Sequence, residues 1–484
     1  MYDSQLMDIV RTFSKDDFAA LKQFVRSPFL NHSSRAQAVI SLFEVIAATF
    51  PDCKKESLQR DKVYQKTFPG DEVIEGRLEK VMTELLKVLR RYIVYTNSHM
   101  EENSVSFQMT LAKYYRNKGL ETRFLSTIDK LRQQSNGVPQ PDTTDLYQRF
   151  RIEEILHDHR ITHYQKKGDA NLVETIQRLD TYYMAERLVL TGALFTIKSH
   201  TTFDQAEMMH MVHAISSYMD KGFQADHPII RGFYLAAVII HQDYQDCEAA
   251  FGELRSLLEN YRDILPMDYQ KNLGSCCRNY CTRQINTGNS DYYAILFEMI
   301  QTQLASGILY HLGGLAPPTL QNIVNAGLKM KAFDWVKELL DTHRHRIVGS
   351  HHPEQVYHFN LSNYYFHAQK YDEALELLAG SYEDIHYNLR AKCTEIKIFY
   401  EKQELNFVES KVEAFKVYIL RLFPQYISEN TKTSYLNFVY LLKKIITPST
   451  LHNAKRQSKL LAEAGTLPNL VDRDWFVEKI GALK

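Results

Sequence analysis

Three glutamate–histidine pairs stand three residues apart: Glu154 with His157, Glu207 with His210, and Glu383 with His386. On a helix that spacing puts both side chains on one face. Two such pairs joined by two more inward glutamates would hold a di-iron centre. The neighbouring segments do not supply those glutamates at bundle spacing, and about one such pair is expected from composition alone. The pairs read as polar helix-face residues. A second group is richer in imidazole: His343, His345, His351, His352 and His358, with Arg344 and Arg346 among them. Neutral imidazole ligates zinc or nickel. The same stretch also reads as a helix end, a Gly349–Ser350 turn and a new helix after Pro353. Cations suit a helix C-terminus, so an inter-helix loop is expected. Metal binding, or an anionic or pH-sensitive contact, is the alternative.

Cys276, Cys277 and Cys281 form a compact thiol group, with Cys277 and Cys281 one helical turn apart. A structural zinc site needs a second ligand pair. None lies nearby and Cys247 is isolated, so small apolar filling between helices is expected. His157, His159 and His163 with Arg160 have no assignable nucleophilic partner and read as a polar helix face. No phosphate-cradling glycine motif, nucleophile elbow or zincin motif occurs. No catalytic residue, no metal and no cofactor is expected. The 30 tyrosines and 25 phenylalanines include the doublets Tyr114–Tyr115, Tyr182–Tyr183, Tyr292–Tyr293 and Tyr364–Tyr365. One ring of each doublet is expected to pack between helices, leaving the other to line a groove fit for a peptide.

Helices must position all of these. Only 19 glycines and 13 prolines occur in 484 residues, too few for the many turns of a sandwich or barrel. Balanced charge, 58 basic against 58 acidic residues, removes the broad positive field that nucleic acid favours. A local basic patch remains at Arg77, Lys80, Lys87, Arg90 and Arg91, diluted by Glu75, Glu79 and Glu84, with Lys443–Lys444 elsewhere. The apolar run Phe233–Ile240 is far short of the ~20 residues a membrane span needs. The first 30 residues carry four aspartates and no secretory apolar core. With six scattered cysteines, the expected compartment is the cytoplasm.

Punctuation divides the chain. Ser14 and Asp17 form a capping box, and the helix they open must end before Pro28. Helices follow near Gln37–Phe50 and Ser57–Thr67. Ile74, Leu78, Val81, Leu85, Val88, Tyr92 and Tyr95 recur at helical spacing, with a second stripe at Met82, Leu86, Leu89 and Ile93. Together they predict a core helix of about 25 residues with a face too broad for a two-stranded coiled coil. Ser135–Thr144, with two prolines and a glycine, is the main predicted boundary. Beyond it, breaks fall near Lys167–Asp169, Gly192, His200–Thr202, Lys221–Pro228, Gln245, Leu265–Pro266, Gly288–Ser290 and Gly313–Pro318. Helices are expected after Ser428 and Ser449 and from Asp472.

The segment Val356–Leu378, VYHFNLSNYYFHAQKYDEALELL, resembles a tetratricopeptide repeat. Ser362, Tyr365, Tyr371, Ala374 and Leu378 occupy the small and aromatic places of that family. His358 stands where it has Trp, and its closing Pro is missing near His386. Weaker echoes put Ala294, Val336 and Val408 in the role of Ala374, at intervals of 42, 38 and 34 residues against a regular 34. Phe24–Asn31, FVRSPFLN, is also similar to the start of a bacterial helical family that carries no assigned activity.

The resulting expectation is all-α. A helical domain over residues 1–134 precedes a degenerate tetratricopeptide-like α-solenoid of antiparallel pairs over 145–427, with a helical cap over 428–484. The resemblance implies a right-handed stack whose first helices line a groove. It implies Phe359, Asn363 and Phe366 as the residues facing a protein or peptide ligand, and a scaffold or adaptor rather than an enzyme. The alternatives are a regulatory nucleic-acid-associated protein using the basic patches, and a metal-binding or enzymatic protein using the histidine groups.

Overall fold

A computed structural model describes residues 1–97, 102–138, 142–163, 170–196, 205–224, 226–241, 247–380, 382–447 and 454–483. Its contacts divide the chain into two compact units. One holds the residues up to Pro139 together with Thr143–Tyr182; the other holds Tyr183–Lys484. No strand occurs among the described residues, where two isolated β-bridges are the only β pairings.

The first unit begins with α1 (Gln5–Val10), α2 (Lys15–Arg26), α3 (Ala36–Ala47), α4 (Arg60–Thr67) and α5 (Arg77–Asn97) around one apolar core. The capping box is present. The Asp17 amide donates to Ser14 Oγ at 3.1 Å, and the Ser14 amide to the Asp17 carboxylate at 3.0 Å. Asn31, buried in the FVRSPFLN string, donates to the Val25 and Ala36 carbonyls and so joins the end of α2 to the start of α3. The long stripe is buried at Leu78, Val81, Leu85, Val88 and Tyr92, but Ile74 and Tyr95 are exposed. Gly76 turns the chain at φ +75°, so the helix begins only at Arg77 and Ile74 lies outside it.

A second apolar cluster in this unit gathers α6 (Val105–Asn117), α7 (Glu121–Asn136) and α8 (Thr143–His163). Here Arg132 of α7 grips the buried Glu153 of α8, Nε to Oε1 at 2.6 Å, and Asn171 binds the same carboxylate. The helices on either side of the Ser135–Thr144 stretch, α7 and α8, thus belong to one unit, and the division falls inside α9 (Ala170–Thr196). Gly192 lies within α9, where a Cβ would approach the Phe233 ring at 3.3 Å. The glycine serves close packing rather than a chain break. The breaks expected at Lys167–Asp169, His200–Thr202 and Gln245, and the helix start after Ser449, lie outside the described residues.

The second unit continues with α10 (Gln205–Met219), α11 (Pro228–Ile240), α12 (Cys247–Asn260), α13 (Met267–Asn286), α14 (Tyr292–Ala305), α15 (Pro317–Lys329) and α16 (Phe333–His343). Then come α17 (Pro353–His367), α18 (Tyr371–Leu378), α19 (Ile385–Glu401), α20 (Leu405–Leu422), α21 (Glu429–Ile446), α22 (Ala454–Thr466) and α23 (Arg473–Ala482). Neighbouring helices pack in pairs, and α15, α17 and α19 also pack on one another in turn. The apolar run of α11 is buried on nearly all sides, and no described helix is long and apolar enough to cross a membrane.

One turn recurs between paired helices. In α17–α18 the Lys370 amide reaches the Tyr365 carbonyl and the Gln369 amide the Phe366 carbonyl, with Gln369 left-handed at φ +59°. The same Schellman pair of bonds closes α15 at Lys331 (φ +55°), α19 at Gln403 (φ +60°) and α13 at Gly288 (φ +102°). Five residues after Lys331, Gln369 and Gln403 stand Val336, Ala374 and Val408, all fully buried against the preceding helix. Ala294 does not share that place. It is exposed, and the buried residue of its helix start is Tyr292, because α14 opens with an extra half-turn after Gly288.

A side chain held left-handed is strained by ~1 kcal/mol per residue, a strain glycine escapes. Gln369→Gly and Gln403→Gly should therefore each raise the stability of the second unit by up to ~1 kcal/mol. Chemical denaturation of the single and double variants measures this, with additive gains expected.

Candidate functional site

The residues singled out by type and spacing fall mostly into structural roles. His343 is buried, with Nδ1 2.9 Å from the Leu339 carbonyl and Nε2 2.9 Å from Tyr310 Oη, and its ring stacks on Tyr310. His352 pairs with Glu383 at 2.7 Å, while Arg344 binds Glu354 at 2.9 Å and His358 lies 3.9 Å from the same carboxylate. The cluster spans the end of α16, the following loop and the start of α17, braced by the Arg344–Glu354 ion pair and the His352–Glu383 contact, and no group of three metal-ligating side chains occurs among the described residues. Glu383 and His386 share no helix face, since Asp384 between them is the N-cap of α19. His159 is buried on the Phe124 ring with Nε2 3.9 Å from Glu121, so it belongs to the core of the first unit. The side chains of His163 and Glu207 lie outside those described.

Burial pushes the Cys276 thiol up to about 11 and the Cys281 thiol up to about 12, and it raises Cys277 further. These thiols stay protonated at neutral pH and fill space between helices. The basic candidates of α5 are mostly spent on their own unit. Arg77 meets Asp71 at 2.7 Å, Lys87 meets Glu84 at 2.9 Å, and Arg91 donates to the Leu30 carbonyl. Lys444 binds Glu463 at 2.8 Å and Lys443 pairs with Glu413.

Phe359, Asn363 and Phe366 require correction as a groove. Phe359 is 1% exposed and wedged against Tyr382 and Tyr387, with ring centroids at 5.8 and 4.7 Å. Phe366 is buried as well, and only Asn363 is half-exposed. The reason is that α17 is packed from several sides, by α15, α16, α18 and α19, so it has no single outward face. Phe366 still borders the surface that matters, because the Lys397 ammonium of α19 sits 4.8 Å from its ring centre.

That ammonium opens the most organised polar cluster of the second unit. Lys397 is nearly buried and binds the Asp472 carboxylate at 2.6 Å. Two residues on, Asp474 takes Lys329 Nζ of α15 at 2.6 Å and the Tyr293 hydroxyl of α14 at 2.7 Å. Trp475 Nε1 donates to Glu401 of α19 at 2.8 Å while its ring meets Tyr400 edge-on at 5.2 Å. Lys479 closes the other side of Glu401 at 2.8 Å. Burial raises both aspartate carboxyls, but Lys397, Lys329 and the Tyr293 hydroxyl outweigh it and hold them below the usual range. Both carry full charge at neutral pH. The C-terminal parts of α15 and α19 and the first turn of α14 thus form one face that receives Asp472, Asp474 and Trp475 by charge, hydrogen bond and ring contact, while Arg473 between them donates to the Ala464 and Leu467 carbonyls at the end of α22. The Tyr292–Tyr293 doublet splits as its spacing predicts, with Tyr292 in the core, but Tyr293 binds Asp474 instead of facing open space.

A separate open cleft of about 260 Å³ between α19 and α20 is lined by Lys392, Glu395, Lys411, Tyr418 and Arg421. Lys411 is held by Glu395 there at 2.6 Å, and Lys392 lies over the Tyr418 ring.

The chain matches no family model, no curated protein and no solved structure.

Proposed function

We propose that the helix pairs of the second unit form a degenerate tetratricopeptide-like α-solenoid, and that this array is a non-catalytic scaffold that docks a protein segment. Three features support the solenoid: first helices packed in succession, one turn type closing successive pairs, and a buried Val336, Ala374 or Val408 at the same offset from each turn. The docking reading is carried by a single observation. The face at Tyr293, Lys329, Lys397 and Glu401 holds an extended-to-helical chain segment through directional polar contacts. A preformed face of this kind limits the ordering entropy lost on binding. Six free thiols fit a reducing compartment, the cytoplasm. The internally paired lysines and arginines of α5 and α21 favour a protein partner over nucleic acid.

In-cell photo-crosslinking tests the proposal. A crosslinking residue at His367, exposed at the end of α17, should trap one protein repeatedly; the same residue at Val417, exposed on α20, should not. Equal trapping from both positions, or trapping of nucleic acid alone, would contradict it.

A further inference from the structure

The end of an array must be covered, and α23 does this with one side. Phe476 and Ile480 are fully buried, and Phe476 meets Phe438 of α21 at 5.3 Å. A cap needs to touch only the last helix pair. The first turn of α23 goes further, reaching back across α19 to α15 and α14. The sequence separations of these contacts are large: Lys329 to Asp474 spans 145 residues and Tyr293 to Asp474 spans 181.

The local backbone is bent to make this reach. Asp472 sits at the N-cap of α23, where an aspartate ordinarily accepts from its own helix amides. Here it makes no such bond and is left-handed at φ +54°. Its carboxylate is given to Lys397 instead. Aspartate tolerates this conformation, as Lys331, Gln369 and Gln403 do in the turns above, and here the bend turns the carboxylate away from its own helix and toward Lys397.

We infer that Asp472 and Asp474 are a built-in stand-in for an external ligand, and that the face at Tyr293, Lys329 and Lys397 takes a protein segment of the same chemistry, with two carboxylates two residues apart. The inference rests on the docking reading and adds to it the partner's chemistry and a self-occupied state. The contacts divide accordingly. Phe476 and Ile480 fasten the body of α23 whether or not the face is occupied. The Asp472 and Asp474 carboxylates are attached through partly exposed polar bonds, which an incoming segment can replace, whereas Trp475 is buried in the same apolar core as Phe476 and Arg473 is held by the carbonyls at the end of α22. The Asp472 side chain keeps about a third of its surface exposed (36%), and Asp474 about half (48%), so both are open to exchange. Charge chooses the occupant: two ammonium groups and a tyrosine hydroxyl converge on carboxylates, while Glu401 beside them is already taken by Trp475 and Lys479.

The test is a fluorescence titration of the full chain with a labelled synthetic peptide of residues 469–480, at two salt concentrations. In the wild-type chain the peptide competes with its own copy and binds weakly. In the Asp472→Asn/Asp474→Asn chain the internal copy loses its charges, and the peptide should bind about tenfold more tightly. Adding Lys329→Met should remove most of that gain and flatten the salt dependence. Tyr293→Phe, which deletes one hydroxyl, gives a milder release of roughly threefold and serves if the double aspartate variant does not fold. Equally tight binding to wild type and variants, lost with Lys329→Met, would overturn self-occupation while leaving the docking face standing. No binding to a folded variant would overturn the ligand chemistry, and the crosslinking from His367 would then judge the docking reading alone.

Discussion

Phe359→Ala should destabilise the second unit by about 3–5 kcal/mol, the range for emptying a fully buried aromatic site. The ring is 1% exposed and held between Tyr382 and Tyr387, two other large side chains whose own positions depend on it. Collapse of the site is resisted because α17 is flanked by α15, α16, α18 and α19. Asn363→Ala, one turn along the same helix but half-exposed, should change stability by less than ~1 kcal/mol. Urea denaturation monitored by tyrosine and tryptophan fluorescence separates the two. A Phe359→Ala chain that keeps its midpoint but loses a binding partner would instead put the ring on a docking surface.

Arg132→Ala should be the most damaging polar substitution in the first unit, at about 3 kcal/mol. Glu153 is 4% exposed at its side chain and is gripped by Arg132 through two oxygens, with Asn171 on the same carboxylate. Bonding to Glu153 also holds the Arg132 guanidinium above its ordinary range. Removing the arginine leaves a buried carboxylate beside the neutral amide of Asn171. The exposed third of the arginine keeps the figure at the low end of the range for broken buried pairs. Glu153→Gln in the Arg132→Ala background should recover more than half of the loss, because the stranded charge is then gone. A thermal melt followed by circular dichroism reads both, and an Arg132→Ala chain as stable as wild type would show that water solvates Glu153.

The Ser14–Asp17 box and the Ser428 cap were legible in the chain because capping chemistry is local: donor and acceptor lie three residues apart. The α5 stripe was legible for the same reason, and its error at Ile74 came from a turn at Gly76 that apolar spacing does not report. The turn residues Lys331, Gln369 and Gln403 were hidden because none is a glycine; the left-handed bend comes from tertiary packing. Phe359 was misread because helical spacing gives the direction of a side chain but not what stands opposite. α17 has neighbours on more than one side, and a repeat pattern taken from one pair cannot count them. The polar face was the least legible. Tyr293, Lys329, Lys397 and Asp474 follow no period, and they meet only because the chain returns from α23 across helices far back in the sequence.

The most direct test of the docking face is hydrogen–deuterium exchange of the intact chain with and without the protein crosslinked from His367. Binding should speed exchange at residues 472–474 as the two internal carboxylates leave. It should slow exchange at the C-terminal turns of α15 and α19. Unchanged exchange in those turns, with protection appearing on α20 or in the first unit, would contradict the account.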